Sequence, residues 1–121
     1  MAFDRIDRIS EEVRRALDKI IRESVKDPRV TGTWSITRAD VTRDLRQCKV
    51  RVSVLEDGAR DNLIKALKNA AGFIRRELGH EVDLRYTPEL IFEADTNIEY
   101  ASRISELLRQ DELRTKPSEE N

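Results

Sequence analysis

The stretch Asn69-Ala70-Ala71-Gly72-Phe73-Ile74-Arg75 lies inside the second helical pattern of this 121-residue sequence. Around it, apolar side chains recur every three or four residues from Leu63 to Leu78, a spacing typical of an amphipathic helix. Gly72 falls within that pattern, and a glycine in a helix interior costs about 1 kcal/mol relative to alanine. The stretch therefore predicts a helix that is kinked at Gly72.

Upstream of this stretch the sequence predicts one long helix and then two strands. Apolar residues at helical spacing run through residues 3–26, and Pro28 ends the pattern because proline restricts the residue before it to extended conformations. Residues 33–42 are rich in β-branched side chains and change phase near Arg38, which predicts a strand with a bulge. Residues 48–54 alternate cleanly between apolar and polar side chains and form the clearest predicted strand.

Downstream, alternation over residues 82–92 predicts a third strand that Pro88 interrupts. A capping box then opens a last amphipathic helix over residues 96–108. The element order is α-β-β-α-(kink)-α-β-α, which predicts an α+β fold: a two-layer sandwich with helices on one side of a three-stranded sheet. We expect one domain over residues 1–110 and a polar, disordered tail over residues 111–121.

Charge is balanced in total but not along the chain. Lys and Arg number 23 against 24 Asp and Glu, for a formal net charge of −1. Residues 1–80 hold 18 basic and 13 acidic residues, whereas residues 81–121 hold 5 basic and 11 acidic ones. No apolar run is long enough for a membrane span or a secretion signal, so we expect a soluble cytoplasmic protein with no membrane partner.

Residues that could support catalysis are few. His80 is the only histidine and Cys48 the only cysteine, so the sequence offers neither a zinc-ligand cluster nor a disulfide. Cys48 shares the parity of three strand valines, which favours a buried small hydrophobic residue over a nucleophile. The sequence therefore predicts a protein that is not an enzyme and uses no cofactor or metal.

Two basic rows make nucleic-acid binding the better hypothesis. On the first helix the basic side chains lie opposite the apolar stripe, and on the second they share a side with Gly72, where a phosphate backbone could approach the main chain closely. The alternatives are a solvated face with ion pairs and a glycine that serves packing. Trp34 could stack on a base, although core or edge cover is the commoner role. The basic candidates are Arg8, Arg15, Lys19, Arg22, Lys26, Lys65, Lys68, Arg75 and Arg76.

Several segments, in order, resemble the ribosome-binding factor A family. No single segment is decisive, but the ordered set is highly specific and runs from about residue 3 to residue 108. The matching segments are residues 25–30 after a long helix, residues 44–45 before a strand, residues 69–75 and 77–78, and residues 84–90 leading to Phe92 and Asp95.

The resemblance implies a type II KH-like fold in which an Ala-x-Gly kink replaces the usual glycine-rich loop between two helices. Here that kink is Ala70-Ala71-Gly72, which adds all three residues to the candidate RNA-binding site. The resemblance further implies a non-catalytic assembly factor, a monomer when free, that binds the free small (30S) ribosomal subunit. It would contact 16S ribosomal RNA, support late maturation including 5′-end processing, and matter for growth in the cold.

Two alternatives remain open at this point. A KH-like module could bind another RNA through the same basic surface, or the acidic C-terminal helix could bind a protein. Competition between small subunits and unrelated RNA separates the first alternative from the assembly-factor hypothesis. Binding that survives loss of the basic rows would indicate the second.

Overall fold

The computed structural model describes residues 4–95, which form three helices and one sheet. The elements in chain order are helix α1 (Arg5–Ser24), strands β1 (Trp34–Val41) and β2 (Gln47–Val54), helices α2 (Asp57–Asn69) and α3 (Ala71–Glu81), and strand β3 (Glu89–Ala94). The predicted last helix over residues 96–108 and the polar tail over residues 111–121 lie outside the described residues. Within residues 4–95, no helix is both long enough and apolar enough to cross a membrane.

The sheet has the strand order β1-β2-β3. Strand β2 pairs antiparallel with β1 and parallel with β3. A parallel pair needs a long crossover connection, and α2 and α3 supply it. The register between β1 and β2 shifts between Ile36 and Arg38, which confirms the predicted bulge.

The core lies between one face of the sheet and the helices. Cys48, Val50 and Val52 of β2 are fully buried beneath helix residues such as Leu17 and Leu67. The alternate residues of β2, including Lys49 and Arg51, are exposed on the opposite face. This arrangement confirms the predicted two-layer α+β sandwich with helices on one side of a three-stranded sheet.

The break between α2 and α3 occurs at Ala70, two residues before the predicted kink at Gly72. Ala70 has φ −92° and ψ 4°, a region that any residue can adopt. Its N–H donates to the Ala66 carbonyl at 3.0 Å, and its carbonyl accepts from the Ile74 N–H at 2.9 Å. Because these bonds continue across the break, the chain bends without the glycine, which instead lies in the first turn of α3.

The prediction for residues 82–88 was wrong. The alternation of Val82, Leu84 and Tyr86 suggested a strand, but β3 begins only at Glu89. The Val82 N–H donates to the Leu78 carbonyl and caps α3, and buried Pro88 has no N–H to offer a neighbouring strand. The segment thus connects α3 to β3 as irregular backbone.

Helix α1 ends at Ser24 rather than near residue 26. Its cap residue Val25 is already extended, so Lys26 lies beyond the helix. Lys26 is exposed, but the helical projection that grouped it with Arg22 does not apply to it.

Candidate RNA-binding surface

A groove runs between helix α2 and the edge strand β3. Ile64, Lys68 and Ala71 form its helical wall, and residues 90–94 form its strand wall around a volume of about 510 Å³. Within residues 4–95, β3 pairs with β2 alone, so its other edge borders this groove. The groove therefore adjoins the α2–α3 break through Ala71 and contains one of the basic candidates, Lys68.

An exposed basic surface flanks this groove. We call it the α2–α3 surface and define it by its exposed residues Lys65, Lys68, Gly72, Phe73 and Arg76. A Cβ placed on Gly72 would meet no atom of residues 4–95 within 4 Å, so the glycine is not required for packing within this part of the chain. The main chain at Gly72 is therefore exposed on this side of the described structure.

Phe73 was missed by the sequence-based site prediction. It is one of the large hydrophobic residues that the structure leaves exposed, with 39% of its surface accessible. The sequence could have indicated this exposure, because Phe73 follows Gly72 and lies off the buried stripe of Leu67, Ile74 and Leu78. An exposed aromatic ring among cations can stack on an unpaired base.

Arg75 does not join the α2–α3 surface. Its guanidinium donates to the Thr87 carbonyl at 2.8 and 3.1 Å, which ties α3 to the segment before β3. Together with residues 42–44, 46, 47 and 89, it lines a separate cleft of about 920 Å³ beside the turn between β1 and β2. The predicted second basic row is therefore split between two places.

The basic row on α1 is partly used by the fold. Lys19 forms an ion pair with Glu81 at the end of α3, with 3.3 Å between Nζ and Oε1. Arg22 forms an ion pair with Asp18, and its guanidinium carbon lies 4.1 Å from the ring centroid of Trp34. Arg8 and Arg15 are exposed, and Arg15 lies 3.7 Å from a Glu11 carboxylate oxygen.

Trp34 itself is buried, with 8% of its surface accessible. Arg22 covers its ring and donates to its carbonyl at 3.3 Å. The core interpretation of Trp34 is therefore confirmed, and the tryptophan is not available for stacking on a base.

The outer face of the sheet is balanced rather than basic. Lys49 and Arg51 lie 3.9 and 3.8 Å from carboxylate oxygens of Glu93, and Arg38 pairs with Asp40 at 2.9 Å. By contrast, Lys65, Lys68 and Arg76 form no ion pair with any described side chain. This difference separates the α2–α3 surface from an ordinary solvated face.

The structure shows the surroundings of Cys48 and His80, the two residues considered for catalysis. Cys48 is fully buried, as predicted, and burial raises the pKa of its thiol to about 12, so the reactive thiolate is suppressed. His80 is exposed and lies 3.9 Å from Glu77. No group of three or more His, Cys, Asp or Glu residues within residues 4–95 could hold a metal ion.

Comparison with known proteins identifies the relatives of this chain. A family model described as ribosome-binding factor A matches residues 5–108. The chain is 50% identical over 109 residues to ribosome-binding factor A of Clostridium novyi, covering 89% of this chain and 90% of the relative. It is 47% identical over 119 residues to the protein of that name in Acetivibrio thermocellus, covering 98% and 97%.

Solved structures agree with the fold. The crystal structure of ribosome-binding factor A from Thermus thermophilus superimposes with a TM-score of 0.66 at 21% identity, over 74% of this chain and 94% of that one. A homology model of the Thermus thermophilus factor, fitted into the cryo-EM map of its complex with the 30S subunit, superimposes with a TM-score of 0.56 at 26% identity, over 69% and 88%. The sheet topology, the interrupted helix pair and the sequence match together place this chain in the ribosome-binding factor A family.

Proposed function

We propose that this chain binds the free small ribosomal subunit in the cytoplasm and contacts 16S ribosomal RNA through the α2–α3 surface. In this role it supports late maturation of the subunit, including processing of the 5′ end of that RNA and growth in the cold. The fitted 30S complex of the Thermus thermophilus factor supports the choice of partner. No chemical step by the protein is required.

The observation that carries this proposal is the set of unpaired cations around an open glycine. Lys65, Lys68 and Arg76 are exposed and form no ion pair with a described side chain, and Gly72 leaves the main chain accessible between them. Charges that the fold does not use remain available to neutralise phosphates. Neutralising phosphates releases counterions from the RNA, which drives binding and makes it weaken steeply with salt.

Charge contacts of this kind position a protein on RNA but carry little sequence information. Selectivity would come from the groove between α2 and β3 and from Phe73, which fit single-stranded or partly folded RNA better than a regular helix. A factor that binds one conformation of a maturing subunit more tightly shifts the RNA toward that conformation by the difference in affinity. Assembly is thereby assisted without catalysis.

Fractionation of a cell extract on a sucrose gradient tests the proposal. The protein is expected to migrate with free small subunits and to be absent from translating ribosomes. Unrelated single-stranded RNA, added at the same concentration as the subunits, should not displace it from them. Migration at the top of the gradient, or displacement by equimolar unrelated RNA, would contradict the proposal.

A further inference from the structure

The turn between β1 and β2 is held in one shape. The Leu45 N–H donates to the Thr42 carbonyl at 2.9 Å, closing a β-turn. The Asp44 carboxylate accepts from the Thr42 hydroxyl at 2.8 Å and from the Arg46 N–H at 3.0 Å, and these bonds lower the pKa of Asp44. Leu45 has φ 63°, in the left-handed region that leucine rarely adopts, while its side chain packs against the core.

Two arginines lie beside the exposed ring of Tyr86: Arg46, which belongs to this turn, and Arg85, which precedes Tyr86 in sequence. The guanidinium carbon of Arg46 lies 4.7 Å from the ring centroid of Tyr86, and that of Arg85 lies 5.7 Å from it. Tyr86 is 42% exposed, more than any aromatic residue of the core. Guanidinium planes and aromatic rings both stack on nucleobases, and here they form one assembly.

The assembly borders a cleft of about 520 Å³ between the start of α1, the turn and residues 85–86. Ile6, Ile9 and Leu45 give the cleft an apolar part. Its charged lining consists of Arg5, Arg43, Arg46, Arg85 and Asp44. These four arginines outnumber Asp44 and Asp4, whose carboxylate lies 3.6 Å from the Arg43 guanidinium, so the cleft keeps an excess of positive charge.

We propose that this hairpin cleft binds one unpaired nucleotide of an RNA strand. The base would stack on the assembly of Tyr86, Arg46 and Arg85, and the flanking phosphates would meet Arg43 and Arg5. The cleft is lined by apolar side chains and by guanidinium groups. This combination fits a nucleotide, which has a flat base and anionic phosphates, better than a neutral ligand or a simple anion. The inference rests on the proposed function, since it assumes that the partner is RNA.

The hairpin cleft is a second contact, separate from the α2–α3 surface. Arg43, Asp44 and Arg46 also line the larger cleft that contains Arg75. Arg75 is held by the Thr87 carbonyl and projects from α3, the helix that also carries Gly72 and Arg76. The larger cleft thus connects the hairpin cleft to Arg75 of α3, the helix that carries part of the α2–α3 surface.

Fluorescence anisotropy with two fluorescein-labelled RNA decamers tests this inference: one of ten adenosines, and one with the same backbone but no bases. For the wild type, the adenosine decamer should bind more tightly than the abasic one. Tyr86→Ala should weaken binding of the adenosine decamer on the order of fivefold and leave binding of the abasic decamer nearly unchanged. Tyr86→Phe, which keeps the ring, should retain wild-type affinity for both.

A matched pair of charge variants completes the experiment. Arg46→Gln should weaken binding of the adenosine decamer, whereas Arg38→Gln, on the outer face of the sheet, should not. Absence of decamer binding by the wild type, or equal affinities of wild type and Tyr86→Ala, would overturn the inference. If the wild type does not bind small subunits, but Tyr86→Ala still weakens binding of the adenosine decamer, the proposed function is overturned and the nucleotide site is retained.

Discussion

Asp27 and Arg29 organise the loop that follows α1. The Asp27 carboxylate accepts hydrogen bonds from the Arg29 backbone N–H at 2.9 Å and from its guanidinium at 2.7 and 3.1 Å. These bonds favour the ionised carboxylate and lower the pKa of Asp27 to about 2. The two residues fix the direction in which the chain leaves α1 and turns toward β1.

The state of this pair can be measured by following the side-chain carboxyl carbon of Asp27 by NMR as pH is lowered. The pKa of Asp27 is lower in the folded chain than in the unfolded chain, where it is about 3.9. The ionised carboxylate therefore stabilises the fold above about pH 3.9, and this stabilisation is lost as pH falls toward 2. We expect a midpoint near 2 in the wild type and a higher midpoint in Arg29→Ala, because this variant loses the guanidinium hydrogen bonds but keeps the backbone N–H of residue 29. A wild-type midpoint near 4 would show that the pair does not form.

The environments of some single residues could be predicted from the sequence, and those of others could not. Alternation alone identified Cys48 as buried, because a strand with one covered face has a strict period of two. The partners of Lys19 and Arg75 could not be inferred, because Glu81 and Thr87 are distant in sequence and meet them only once the helices pack. Tyr86 was assigned to a strand, and its exposure at 42% beside two arginines could not be inferred from alternation.

At the scale of elements, the interrupted helix pair combines a structural break with an open surface. Ala70 makes the break, whereas Gly72 occupies the second position of α3 with empty space around it. Helical propensity placed the break at the glycine, because it identifies weak helix positions rather than the residue that bends. The resemblance placed it in Ala70-Ala71-Gly72, the segment that contains the observed break. No described atom occupies the space beside Gly72, which supports the proposal that a ligand meets its backbone.

Gly72→Ala and Gly58→Ala form a matched pair that tests this use. Gly58 occupies the second position of α2, is exposed and also has no atom within 4 Å of the point where a Cβ would lie. Both changes should leave the free energy of unfolding unchanged or raise it by about 0.5 kcal/mol, because alanine has less freedom to lose on folding. Only Gly72→Ala should weaken binding to small subunits.

Urea denaturation gives the stabilities, and sedimentation with purified small subunits gives the affinities. Equal affinities for the two alanine variants would show that RNA does not approach the main chain at Gly72. A large loss of stability in Gly72→Ala would show instead that the glycine serves the fold.

For the whole molecule, the net charge of −1 conceals where positive charge is available. Counting along the chain located the excess in residues 1–80 but could not separate used from unused cations. The structure makes that separation: Lys49 and Arg51 on the sheet face Glu93, whereas Lys65, Lys68 and Arg76 have no such partner among the described side chains. Pairing therefore separates the α2–α3 surface from the outer face of the sheet, which total charge does not.

The most direct measurement is the affinity for free small subunits of two triple variants that each lose three positive charges. One variant, K65Q/K68Q/R76Q, removes the cations of the α2–α3 surface, and the other, R38Q/K49Q/R51Q, removes cations of the outer sheet face. The first should bind about tenfold more weakly than the wild type or worse, because three phosphate contacts are lost, and the second should bind within about twofold of it. Equal weakening of both variants, or wild-type affinity in the first, would contradict the account.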